Sequence, residues 1–115
     1  MQVKDLINIL ELKIFGGSQG LNREITGGYT SDLLSDVMGH ADNGRIWITL
    51  QTHKNVTAIA SLKELAAVIL IKGNEPDADM LAQAEEEGIP VLGSVEEAFE
   101  LSGKIFNLLT SQKCT

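Results

Sequence analysis

Arg23-Glu24-Ile25-Thr26-Gly27-Gly28-Tyr29-Thr30-Ser31-Asp32 is the stretch whose reading decides the fold. It reads as a short strand, a glycine turn and the start of a helix. Paired glycines permit backbone angles and close approaches that a side chain forbids. A hydroxyl at Thr30 or Ser31 then caps a helix beginning near Asp32, because it accepts from an otherwise unpartnered N–H of the first turn. Such a junction aims backbone donors and the positive end of a helix dipole outward, which suits an anion or a carboxylate. A tight turn serving only the fold has the same residues, and both readings stay open.

Beyond this stretch, Leu33, Leu34, Val37 and Met38 form one helical face, with Asp32 and Asp36 together on another. Two carboxylates four residues apart repel unless something offsets them. A divalent cation would do so, as would simple solvation. Asp42-Asn43-Gly44 is a turn, and Arg45 to Leu50 is the clearest strand, β-branched and aromatic. A helix follows through Val56, Ile59 and Ala60. Ala67 to Ile71 is a continuous apolar run, as expected of a strand covered on both faces. Asp77 opens a helix through Met80, Leu81 and Ala84 that Gly88 ends. Ile89 to Leu92 is a short strand whose Pro90 argues for an edge or a strand start. Ser94 with Glu97 three residues on is a capping-box pattern before a last helix. Its apolar face is read as Val95, Ala98, Phe99, Ser102, Phe106 and Leu109.

Upstream, Val3, Leu6, Ile7 and Leu10 repeat at helical spacing, and Leu12 to Phe15 alternates like a strand. The Gly16 to Gly20 loop resembles a phosphate cradle, but no Gly-Lys-Ser/Thr follows and the spacing is not a dinucleotide fingerprint. Strand and helix alternate from Arg45 onward, the signature of parallel βαβ units. The expectation is one α/β domain over residues 1–110, a mostly parallel sheet flanked by helices, with a flexible tail over 111–115.

The chain has 115 residues, of which 43% are hydrophobic, 22% charged and only 4% aromatic, an ordinary globular composition with an aliphatic core. A net charge of −7 works against nucleic acid and anionic membrane surfaces as partners. Cys114 is the single cysteine, so no disulfide and no thiolate metal cluster forms within one chain. With neither a membrane-length apolar run nor a leader-like start, a cytoplasmic setting is expected.

Ligands of open α/β sheets collect beyond the carboxyl ends of strands. Candidate binding residues therefore fall in three segments: Thr26, Gly27, Gly28, Thr30, Ser31 and Asp32; Thr49, Gln51, Thr52 and His53; and Lys72 with Gly73. They offer hydroxyls, amides, an imidazole and an ammonium to a small phosphorylated or carboxylated molecule. For catalysis they offer little. His53 is the one credible general base, and a set of Ser31, His53 and Asp32 lacks any sign of relay geometry. His40, near a helix end, is read as a partner of terminal carbonyls, and Trp47 as a core residue. No cofactor is expected.

The sequence resembles the DRTGG domain, and is similar to the amino-terminal domain of HPr kinase/phosphorylase. The resemblance rests on the Val3-to-Leu10 helix, Gly20-Leu21-Asn22-Arg23-Glu24-Ile25-Thr26-Gly27-Gly28, the strand ending at Lys72-Gly73, Glu75-Pro76, and Ala84 through Leu92. Asn22 stands where the family has aspartate, which replaces any salt link there by an amide hydrogen bond, and the kinase's P-loop domain is absent. The resemblance implies a three-layered α/β fold and a regulatory or assembly role beside a catalytic unit. It also implies a bacterial setting with a redox or kinase-type partner protein. Two functions follow as expectations: a sensor of a small anionic ligand, or a homodimeric interaction module. A hydrolase using His53 ranks behind both.

Overall fold

The computed structural model describes residues 1–113, with side chains through residue 111. Five strands form one sheet: β1 (Lys13–Gly16), β2 (Gly27–Thr30), β3 (Arg45–Thr49), β4 (Ala67–Leu70) and β5 (Val91–Gly93). The helices are α1 (Val3–Leu10), α2 (Leu34–His40), α3 (Lys54–Leu62), α4 (Ala78–Glu87) and α5 (Ala98–Lys113). Strand order is β1-β5-β4-β3-β2. Neighbours pair in parallel throughout except β1, which runs antiparallel beside β5.

Alternation along the strands makes two cores. Ile46, Ile48, Ala67, Ile69 and Leu92 point to one face, where Val3 and Leu6 of α1 and Leu101 and Ile105 of α5 close over them. Trp47, Val68, Leu70 and Val91 point to the other, beneath Val37 of α2, Val56 and Ala60 of α3, and Met80 and Ala84 of α4. A sheet covered on both faces explains why β4 reads as unbroken apolar sequence. The architecture is the mostly parallel α/β sheet between helices that the alternation predicts. Gly17 takes φ 74°, and a Cβ there would sit 2.0 Å from the Ile89 carbonyl oxygen, so only glycine fits. Among the described residues no helix is long and apolar enough to cross a membrane.

Several local expectations are overturned. Gly27-Gly28 is no turn: both glycines lie within β2, in register with Arg45 and Ile46, and neither has a positive φ. Pairing with β3 outweighs the poor strand propensity of glycine. The following helix starts at Leu34 rather than Asp32, with Leu33 at its N-cap and no side-chain cap. Ser31 Oγ instead accepts from the Leu33 N–H at 3.1 Å. Of the expected inward face only Val37 is buried and Leu34 half-buried, while Leu33 and Met38 are exposed. Pro90 does precede a strand, but β5 is interior, not an edge.

The last helix differs most. Ser94 Oγ accepts from the Glu96 N–H, a local turn, and α5 begins only at Ala98. Its buried residues are Leu101 and Ile105, whereas Val95, Phe99 and Phe106 of the expected face stand in the open. The helix runs through Lys113. Cys114 lies outside the described residues.

Candidate functional site

Because β2, β3 and β4 run parallel, their carboxyl ends share one rim, where Thr30, Ser31 and Asp32, the Thr49-to-His53 segment and Lys72-Gly73 lie, whereas Thr26, Gly27 and Gly28 sit toward the opposite, amino end of β2. The three segments do not form one crevice. Most of their polar groups are engaged with each other. Asp32 Oδ1 accepts from Thr49 Oγ1 at 2.8 Å and from the Leu50 N–H at 2.7 Å. The Gln51 side-chain amide donates to the Asp32 carbonyl, and its N–H donates to Thr49 Oγ1. Trp47 Nε1 donates to the Ser31 carbonyl at 2.8 Å. Thr52 Oγ1 reaches Asp77, whose N–H donates back to the Thr52 carbonyl. These bonds latch one βα loop to the next.

Asp36 and Asp32 take different partners. Asp36 accepts from Tyr29 OH at 2.9 Å, and His40 Nδ1 lies 3.2 Å from its other oxygen. The hydrogen bond from Tyr29 holds the Asp36 carboxyl below its ordinary 3.8. Burial first, and the bond to Asp36 second, push the Tyr29 phenol above 10.0. His40 also reaches the Asp36 carbonyl at 3.1 Å, the terminal contact expected of it. His53 occupies the N-cap position of α3, and no hydrogen bond among the described residues joins it to Ser31 or Asp32. The paper triad is not assembled.

Of several concave surfaces, two reach about 400 Å³ or more. One, of about 580 Å³, lies beyond the ends of β4 and β5 against the start of β1. From the expected set it takes only Gly73. It adds Lys13, Asn74, Ser94 and Lys104, together with Glu11, Glu75 and Glu96. Lys104 Nζ is bound to Glu96 at 2.6 Å. Its three carboxylates outnumber two ammoniums, one of them committed, so it is a poor anion receptor. No sequence signal links residues 10–15 to residues 93–96, because only the antiparallel pairing of β1 with β5 brings them together.

The other, of about 400 Å³, runs between the free side of β2 and α5. Thr26, Gly27, Gly28 and Thr30 form one wall, Ser102, Ile105, Phe106, Leu109 and Thr110 the other, with Ile48 and Arg45 also lining it. Thr30 Oγ1 and Ser102 Oγ, 2.7 Å apart, tie strand to helix. Arg45 Nη1 donates to the Gly28 carbonyl at 3.0 Å, and Nη2 lies 3.5 Å from the exposed Asp42. Two of its donor nitrogens are thus placed, and the fork retains further N–H groups. The groove holds no carboxylate. Of the residues that line it, Thr26, Gly27, Gly28 and Thr30 are among those the sequence singled out, and Arg45 and the α5 residues are not. Phe106 and Leu109 were read there as core, so nothing pointed to them as lining.

The glycine pair has no explanation inside the chain. A Cβ at Gly27 would meet Arg45 Nη1 at 3.8 Å and one at Gly28 the Ile46 carbonyl oxygen at 3.8 Å, both ordinary contacts. Glycine weakens a strand interior, where it often marks a bulge, a tight bend or a site that a ligand or another backbone approaches closely.

No protein-family model and no curated protein sequence matches the chain. Among solved structures, the fold matches the CBS and DRTGG domains of the regulatory region of Clostridium perfringens pyrophosphatase, complexed with its activator diadenosine tetraphosphate. The TM-score is 0.68 at 11% identity, over 91% of this chain and 45% of that one. The chain thus spans about half the length of that regulatory region. This likeness concerns fold alone and lends nothing to the HPr kinase comparison. The chain is a single α/β domain with a DRTGG-like fold.

Proposed function

We propose that this chain is a non-catalytic regulatory module that senses a small anionic ligand, phosphorylated or nucleotide-like, in the groove between β2 and α5. One observation carries the reading: the bare Gly27-Gly28 backbone lines a groove whose only charged side chain is Arg45, in a chain of net charge −7. Such a groove is where an anion loses least to repulsion. The glycines let it approach the main chain, Arg45 supplies a forked donor, and the Thr30–Ser102 hydroxyl pair keeps one hydrogen to donate, while the Thr26 and Thr110 hydroxyls already donate to the Asn43 and Phe106 carbonyls. Phe106, 59% exposed, offers a flat apolar surface to a base. The fold shared with a regulatory region that takes a dinucleotide activator supports the class of ligand. The rim residues expected to bind, Ser31, Asp32, Thr49, Gln51 and Thr52, are loop latches in this reading. His53, Lys72 and Gly73 lie outside the groove.

A thermal-shift panel of inorganic phosphate, mononucleotides and diadenosine polyphosphates tests it. A ligand at a hundredfold its Kd stabilises by about 2.7 kcal/mol, roughly 10 °C in a domain of this size. Arg45→Gln should abolish that shift while still melting cooperatively. Absence of any shift across the panel at millimolar concentration overturns the reading. A second reading, an assembly module with no small ligand, is favoured by the exposed apolar side of α5. On either reading the module acts through a partner protein.

A further inference from the structure

The five-stranded sheet ends at β2, which pairs with β3 on one side and with no strand on the other among the described residues. An open edge presents unpaired backbone groups and is a template for another strand. Beside that edge runs α5. At 100° per residue, Phe99, Ser102, Gly103, Phe106 and Thr110 share one side of it, next to the buried side of Leu101 and Ile105. Glu100 and Lys104 lie further round. Phe99 is 86% exposed and Phe106 59%. Two large rings in water on one uncharged strip need a cover, since isolated surface apolars are ordinary but a contiguous patch is not.

We propose that the outer edge of β2 and this side of α5 form a two-fold interface with a second copy of the chain. Three observations select that occupant. First, neither the α5 strip of Phe99, Ser102, Gly103, Phe106 and Thr110 nor the lining of the groove beside it includes a carboxylate, the nearest being Asp42 next to Arg45 and Asp36 next to Tyr29, although the chain carries 16 acidic residues. Two chains of net charge −7 can approach closely only through a face that leaves that charge outside. Second, an edge strand is complementary to itself when turned antiparallel, and a helix beside it then meets its own copy across the same axis, which is the geometry of an isologous dimer. Third, α5 spans about 24 Å. With β2 alongside, the strip covers on the order of 500 Å² in projection, approaching the ~800 Å² per partner of a standard interface. The unexplained glycines fit the same geometry, since Gly28 has no side chain to hold a second backbone off. A ligand in the groove would be enclosed between the copies, but the interface stands independently of that ligand.

Sedimentation equilibrium on the whole chain without ligand, from about 1 to about 200 µM, tests the interface. The expected result is a monomer–dimer equilibrium that Phe99→Glu weakens at least thirtyfold. Gly28→Lys, which has room within its own protomer, should weaken it comparably, with near-ultraviolet circular dichroism of both variants unchanged. A wild-type chain that stays monomeric to the top concentration overturns the proposal, as does a dimer that neither substitution moves or an assembly larger than two. Because no ligand is present, those results leave the thermal-shift outcome untouched, and a failed thermal shift leaves the dimer untouched.

Discussion

Tyr29 and Asp36 show what one pair of side chains contributes. The phenol donates to the carboxylate at 2.9 Å and lowers its proton affinity, while burial and the same contact raise that of the phenol. The fold therefore favours ionised Asp36 and neutral Tyr29. Asp36 contributes stability above its unfolded value of 3.8, lost as pH falls through the lower folded value. Tyr29 contributes below 10.0, lost as pH rises through the raised folded value. Tyr29→Phe should thus lower stability most near neutrality. Urea unfolding of both proteins at about pH 3, 7 and 10.5 should show the difference shrinking at both extremes. A difference that ignores pH would mean that the pair is not coupled. The sequence showed both residues but not their contact, since β2 and α2 are joined there by an irregular turn that no spacing rule describes.

At the scale of elements, α5 is the instructive case. Its sequence carries two apolar stripes side by side, Leu101-Ile105-Leu108 and Phe99-Phe106, and helical periodicity ranks neither above the other. The sheet chooses the first. Aliphatic side chains interleave with Ile46, Ile48 and Ile69, while the phenylalanines are left beside the β2 edge. Leu101→Ala should therefore cost about 2–5 kcal/mol in chemical denaturation. Were the Phe99 stripe the buried one, the same change would cost under about 1 kcal/mol. The glycine stretch misled in a related way. Gly27-Gly28 reads as a turn because glycine is a poor strand former, yet strand pairing is a tertiary fact and it prevailed. By contrast β3, β4 and the ends of α4 were legible, because continuous β-branched sequence, Asp77 and Gly88 act locally.

For the whole molecule, charge is the governing quantity. A net −7 on 115 residues makes each copy repel every other at distances within a Debye length. If the apolar strip is the meeting face, added salt removes that repulsion and leaves the contact intact. Raising the concentration of sodium chloride from about 20 to about 500 mM should then tighten self-association. An interface built on ion pairs would loosen instead, and sedimentation at the two salt concentrations tells them apart. By itself the sequence determined the alternation of strands and helices, the aliphatic core and the acidic surface, because those depend on composition and on periods of two and 3.6 residues. It also singled out the glycine pair. Only the tertiary structure decided that the pair lies on an open strand edge, that Arg45 and α5 complete its groove, and that the rim polar groups are spent on one another. Each of those depends on which distant segments meet across the sheet, and hydrophobic burial settles that for the chain as a whole.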